Sequence, residues 1–484
     1  MTAISDTVAA LRERLREDQV VTEHHRLRSF ETDALAHLRA IPAVVVFPES
    51  TEDVRAVVRI CRDRGVAYVA RGSGTGLSAG ALPIVDGVLI VMTRLNRLIE
   101  IDLDNERVRL EPGVVNAKIS QAIAPQGYYY APDPSSQPVC TIGGNVAENS
   151  GGAHCLKYGF TTNHVTGIEM VTPEGDLVSL GGDKTLDAPG YDLLGAFVGS
   201  EGTLGIVTSV TARILRSPEA VRTVLIGFAH TDDAGEAVSA IIAAGLLPAA
   251  IEMMDELAIE AAEAAVHCNY PPEAKAVLLV EFDGPEEEVA HLSRVVEEIC
   301  LSHQANHVRV ASSDHERAQL WKGRKSAFAA VGRISRSFLV QDGVVPRTAL
   351  SEVLRAIGRL ARARGLRVAN VFHAGDGNLH PLVLYDAQVE GQAEDAHALS
   401  GEIIDLCIEN GGSITGEHGV GLDKVAYMPK MFAEADLETM IRLRMSFDPS
   451  GLCNPGKAIP TPNLCGEATW RERRAQGTTA AAGG

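Results

Sequence analysis

The chain has 484 residues, a 45% hydrophobic fraction and a formal charge of −19 with acids and bases intermixed. That length exceeds what one core supports and predicts about two or three domains. The acidic balance, with no basic block, argues against nucleic acid or an anionic membrane surface as a partner.

No apolar run reaches the roughly eighteen residues a membrane span needs, and the N-terminus lacks the basic-then-apolar order of a signal peptide. The eight cysteines (61, 140, 155, 268, 300, 407, 453 and 465) are scattered and include no Cys-x-x-Cys. Such thiols read as reduced, offer no ligand set for an iron–sulfur cluster and predict a cytoplasmic chain.

In chain order, Ile4, Val8, Leu11 and Leu15 repeat at helical spacing and open an N-terminal helical segment, residues 1–40. "AVVVFPES" (43–50) reads as a strand ending in a proline turn. "TEDVRAVVRICRDRG" (51–65) then reads as a helix with Thr51 as N-cap, an acidic first turn and Gly65 as the stop. From 41 to 217 short strands punctuated by glycine predict a mixed α+β domain. After Pro218 strand-like "VRTVLIGFAH" and "AVLLVEFDG" alternate with helix-like "DDAGEAVSAIIAAG" and longer helices, predicting a second domain over 218–446. Its pattern is that of helices on an antiparallel or mixed sheet. Residues 447–465 are a turn-rich return segment, and 466–484 a flexible tail.

Three small-residue loops stand out in the first domain. "VARGSGTGLSAGALP" (69–83) follows a strand, and its glycines would let backbone N–H groups close on a phosphate. Gly74-x-Gly76-x-x-Ala79 nearly fits the dinucleotide fingerprint, yet Pro83 and the strand after it leave no room for the helix that motif opens. No Lys-Ser/Thr follows, which excludes a P-loop. The other two loops lie in 132–159 and 198–208. Together they predict backbone lying flat against a large planar ligand that carries phosphate; three unrelated tight turns are the alternative.

In the second domain "NVFHAGDGNLHP" (370–381) flanks Gly-Asp-Gly with two histidines. If Asp376-Gly377 are the central pair of a hairpin turn, His373 faces His380 on one side of the ribbon, close enough to share a divalent ion. Ordinary polar pairing is the other reading. "GSITGEHGVG" (412–421) offers a third ligand, with Glu417 and His418 between glycines; a solvated Glu-His pair is its alternative.

The Arg71-Gly-Ser-Gly-Thr-Gly loop, Thr141–Ala147 and Gly199–Ile206 resemble the PCMH-type FAD domain of vanillyl-alcohol-oxidase-type flavoproteins. The similarity continues in order over residues 40–460. It is greatest to the branch that oxidises 2-hydroxy acids: glycolate oxidase, D-lactate dehydrogenase and D-2-hydroxyglutarate dehydrogenase. The fold implied is α+β, a PCMH-type domain followed by a cap with helices on a largely antiparallel sheet.

The resemblance further implies FAD, its pyrophosphate against residues 71–76 and its isoalloxazine near 135–152. The matching cofactor positions are Arg71, Gly72, Ser73, Gly74, Thr75, Gly76, Pro132, Ser135, Ser136, Thr141, Gly143, Gly144, Asn145, Asn149, Ser150, Gly151, Gly152, Glu201, Gly202, Ile206 and Asn454. Some relatives attach FAD to a histidine where this chain has Thr75, and no histidine lies in 71–81, so non-covalent FAD is expected.

By the same resemblance His373, His380 and Glu417 hold a divalent ion, zinc by preference. His418 is the base, Asn378 a polar contact, Arg324 the substrate-carboxylate partner, and Arg333 an assisting cation. Phe328 stands four residues after Arg324 and "SFLVQDG" holds no lysine, which disfavours a second carboxylate anchor and favours a small monocarboxylate. The implied activity is oxidation of glycolate or D-lactate to the 2-oxo acid. Two alternatives are a flavin subunit active only within a multi-subunit glycolate oxidase and a D-2-hydroxyglutarate-type dehydrogenase. The implied partners are an iron–sulfur subunit and a second flavin-like subunit, through which the chain reaches the membrane.

Overall fold

The computed structural model describes residues 2–182 and 190–460; the expected tail and the last part of the return segment, 461–465, lie outside them. The opening helix spans Thr2–Arg14 and buries Leu11 against Val54, Val57 and Val58 of the helix Thr51–Arg64. That second helix is capped by Ser50, not Thr51. Ser50 is the last extended residue (φ −148°), and its hydroxyl accepts from Asp53 N at 3.1 Å, whereas Thr51 is already helical. Gly65, at φ 64°, ends the helix as expected.

A four-stranded sheet runs in the order Val20–Val21, Val44–Val46, Val88–Val91, Tyr68–Arg71; its first pair is antiparallel and the other two are parallel. No helix follows Arg71: the glycine loop runs directly to the strand Val88–Val91. A five-stranded antiparallel sheet follows in the order Leu98–Asp102, Arg107–Leu110, Ile206–Arg213, Val165–Val171, Leu177–Gly181. The chain returns at its far end, where Cys453 bridges Tyr68.

Apart from a two-stranded pair of Tyr128–Tyr129 with Leu215–Arg216, the remaining strands form one nine-stranded antiparallel sheet with helices on both faces. Val224, Ile226 and Phe228 of the strand Ala220–Phe228 enter one core with the helices Thr231–Ala243, Glu286–Ser302 and Leu350–Ala363. Leu225 enters the opposite core with Glu256–Val266 and Asp314–Ala330. Alternating side chains are thus buried on both sides, and these strands read as continuous apolar runs. Among the described residues no helix is long and apolar enough to cross a membrane.

The histidine hairpin forms in a different register from the one counted. His373 pairs with Asn378 and Asn370 with Pro381, so the loop holds four residues, Ala374–Gly377, rather than two. The shift is two residues, one full side-chain period, and the expected face survives it. His380 becomes a diagonal neighbour of His373, and the ring centroids stand 5.2 Å apart at 85°.

Candidate active site

A cavity of about 990 Å³ lies between the glycine loops and the nine-stranded sheet. Of the expected cofactor positions, residues 71–76, Ser135, Ser136, Thr141, Gly143, Gly144, Asn145, Ser150, Glu201, Gly202 and Ile206 line it. All three small-residue loops therefore meet at one space, in the size range of a cofactor pocket. Gly74 sits at φ 73°, and a Cβ there would stand 2.0 Å from the Arg71 guanidinium, which is turned back to donate to Thr32 O at 2.6 Å.

Five expected cofactor positions are not among the lining residues. Pro132 accepts from Asn116 through its carbonyl, Asn149 ends a helix at φ 52°, and Gly152 closes on Asp133. Asn454 ties Gly80 O to Glu201 O. Gly151 has a different use: a Cβ there would lie 2.9 Å from Glu417 Oε2, so the glycine admits that carboxylate.

Glu417 and His418, from a loop distant in sequence, do join the histidine pair. His373 Nε2 lies 3.1 Å and His380 Nε2 3.4 Å from Glu417 Oε1. The His418 ring stacks on His380 at 4.9 Å and 9°. Glu417 and His418 both line the cavity. Burial works against the Glu417 charge, but His373 and His380 outweigh it and hold the carboxyl down at about 2. Burial pulls His418 down to about 4, so the imidazole is neutral at neutral pH, the form a proton acceptor needs.

The donor set fits a divalent cation. His380 is 1% exposed, yet neither ring nitrogen has a hydrogen-bond partner, a costly arrangement that a cation would relieve. Among the described residues two overlapping groups have the spacing, His373–His380–Glu417 and Asp342–His380–His418. Asp342 is already engaged: it accepts from Thr415 Oγ1 at 2.5 Å, from Gly416 N and His418 N at 3.0 Å, and from Lys424 Nζ at 3.2 Å. Glu417 has open lone pairs, and His373 is braced from behind by Glu252 Oε1 at 2.7 Å on Nδ1, as metal-binding histidines are. The first group is the better cage.

Arg324 is not among the cavity-lining residues: it is 2% exposed, with its Nη2 2.6 Å from Glu252 Oε2 but out of line for a hydrogen bond, and Nε and Nη2 both lack hydrogen-bond partners. Its guanidinium lies 5.8 Å from the ring of Phe328, which lines the cavity and meets His380 edge-on at 5.7 Å. Asn378 is buried beside Gly416 with its Oδ1 free. Arg333 does not join the site: it is exposed and donates to Ala264 O at 2.7 Å, because it sits in the turn that ends the helix, rotated away from Arg324. Arg336 lines the cavity instead.

Glu252, Asp342 and Lys424 were missed in the sequence because nothing around them marks a site. Glu252 is the single acid in the apolar run Ala250–Met254 of the strand Ala250–Asp255; a lone charge inside such a run is the one signal available. Glu201, expected at the cofactor, spends its carboxylate on Val420 N and Gly421 N at 2.7 and 2.6 Å, tying the first domain to the loop that carries His418.

A second joint lies nearby. His154 bridges Asp133 Oδ2 at 2.9 Å and Glu281 Oε1 at 3.2 Å and stacks on Trp321 at 5.5 Å. Burial opposes its charge, but Asp133 and then Glu281 raise it to about 10 against a usual 6.5. A raised folded-state value makes this contribution complete below about pH 6.5 and removes it as pH rises through about 10. The unfolding temperature of His154→Gln should therefore fall further below the parent at about pH 6 than at about pH 10.5; an equal deficit at both would refute the charged bridge.

The chain matches two families, the FAD binding domain over residues 42–181 and FAD linked oxidases, C-terminal domain, over 217–458. It is 48% identical to the glycolate oxidase subunit GlcD of Escherichia coli K12, covering 96% of this chain and 93% of that one. GlcD of Bacillus subtilis is 38% identical (88% and 91% covered), and D-lactate dehydrogenase of Anaerostipes hadrus is 33% identical (87% and 90%). Among solved structures, 4-ethylphenol oxidase from Gulosibacter chungangensis superposes with TM-score 0.81 at 18% identity over 98% of each chain. p-Cresol methylhydroxylase gives 0.81 at 16% over 95% and 97%. Those structures share the PCMH-type fold, and with both halves matched and relatives aligned over nearly its whole length, the chain belongs to the FAD-linked oxidases and is an FAD-binding oxidoreductase.

Proposed function

We propose that this enzyme oxidises a small 2-hydroxy acid, glycolate or D-lactate, to the 2-oxo acid. The observation that carries the reading is the meeting of His373 and His380 with Glu417 and neutral His418, the last two lining the cavity formed by the glycine loops. When bound, FAD supplies the acceptor for the C2 hydride and the divalent ion supplies positive charge that acidifies the C2 hydroxyl.

His418 takes the hydroxyl proton at an imidazole nitrogen; burial keeps that nitrogen unprotonated beforehand. Arg324, ion-paired to Glu252 at 2.6 Å and keeping two buried donor nitrogens without hydrogen bonds, is the cation assigned to the substrate carboxylate. Phe328 covers the space beside His380, which suits a substrate with little beyond C3. Two electrons and one proton leave C2 as hydride, and the second proton rests on His418. The electrons then pass to an external acceptor. The relative at 48% identity is named as a subunit of glycolate oxidase, which supports an assembly with further subunits to take the electrons.

The test is anaerobic mixing of FAD-loaded, metal-replete protein with glycolate, D-lactate, L-lactate and D-2-hydroxyglutarate. Flavin absorbance should bleach with glycolate or D-lactate and far more slowly with the L-acid and the dicarboxylate. Bleaching by none of them, with FAD bound, would overturn the proposal.

A further inference from the structure

The residue that does most to shape the loop carrying Glu417 and His418 touches neither substrate nor cavity. Asp342 is fully buried at the end of the segment following the strand Ser337–Val340. Around its carboxylate converge Thr415 Oγ1 at 2.5 Å, the N–H groups of Gly416 and His418 at 3.0 Å, and that of Glu417 at 3.3 Å. Successive backbone amides aimed at one anion form a nest, and here the anion is the chain's own side chain. The Thr415 hydroxyl also accepts from Gly419 N at 3.0 Å, which closes the loop on itself. Lys424 Nζ caps the arrangement, 3.2 Å from Asp342 Oδ2 and 2.9 Å from the Asp342 carbonyl oxygen.

We propose that Asp342 is a positioning residue: by collecting the 415–418 donors it sets the direction in which Glu417 reaches His373 and His418 stacks on His380. This rests on the reading of Glu417 as a ligand and His418 as the base. The geometry supports the assignment in two ways. The loop has no regular secondary structure across 414–420 beyond the bridge that ends at Ser413, and its other anchor, Glu201 on Val420 N and Gly421 N, lies past His418, so the 415–418 turn itself is held by Asp342. It also presses on the histidine hairpin, since a Cβ on Gly416 would stand 2.4 Å from Asn378. Removing the acceptor would orphan several buried donors at once, and the loop would have to turn to find others.

The rival role for Asp342 is direct ligation, with His380 and His418. Two variants separate the roles. Asp342→Asn puts an amide donor against amide donors, and Thr415→Val removes one hydroxyl from the nest without touching a member of either ligand group. Both are prepared with FAD and measured for zinc affinity by competition with a chromogenic chelator, alongside kcat. The positioning role predicts zinc weakened about 10- to 100-fold in Asp342→Asn, as for residues that orient metal ligands, and several-fold in Thr415→Val, with kcat falling in step and FAD retained. Unchanged zinc affinity in Thr415→Val would overturn it, whether or not Asp342→Asn folds. His380→Ala, measured alongside, tests the underlying reading separately: zinc retained there means that no ligand set exists in this place.

Discussion

His418→Ala should slow reduction of the bound flavin by a 2-hydroxy acid roughly 10²- to 10⁴-fold, the usual worth of a positioned general base. FAD should remain bound, because the first domain supplies most of the cavity lining and His418 is one residue of a cap loop that touches its edge. The measurement is single-turnover bleaching under anaerobic conditions, with FAD content read from the protein's own absorbance. His418→Gln should behave the same way, since an amide cannot take a proton near neutral pH. Bleaching at the parent rate in either variant would remove His418 from the proton-accepting role and leave it a ring stacked on His380.

His380→Ala should have the second large effect. His380 has no hydrogen-bond partner on either nitrogen, so its removal breaks no protein contact of that kind. What it removes is the one imidazole common to both possible ligand groups. Metal content should drop to background on dialysis, and turnover should fall by roughly three orders of magnitude, since a Lewis acid at a reacting hydroxyl supplies several kcal/mol. The folded state should lose some stability in metal-free buffer, because a cavity replaces a buried ring packed on His373, Phe328 and His418, an effect partly offset by the loss of an unpaired buried imidazole. Full activity in a metal-free preparation of the parent would dismiss the metal's part in the reaction.

The two halves of this site differed in how openly they were written. The glycine loops were legible because their function is carried by composition: residues without side chains, clustered after strands, with a proline where a Rossmann helix would have to start. Resemblance then assigned their ligand. The histidine pair was legible because a Gly-Asp-Gly between strands implies a turn, and a turn puts its flanks on one face. The count missed the loop length by two residues and still kept the face, because strand side chains repeat every two. Arg333 failed for the converse reason: in a turn that follows a helix, nine residues of separation from Arg324 fix no common face, and its guanidinium found a carbonyl on the surface.

What the sequence determined by itself was local: which segments alternate or repeat, where caps and turns stop them, and which residue types could hold a phosphate or a cation. Those properties depend on neighbours a few positions away, and periodicity records them. Only the tertiary structure decided which charges are spent and which are available. Glu201 and Asp342 look as free in the sequence as Glu417, yet each is consumed by backbone amides from a loop remote in the chain. Glu252 looks like a stray acid and proves to hold the Nδ1 of His373. A buried carboxylate is defined by the donors that surround it, and those donors come from elements brought together by burial of both faces of a sheet, a property of the whole fold that no local pattern records.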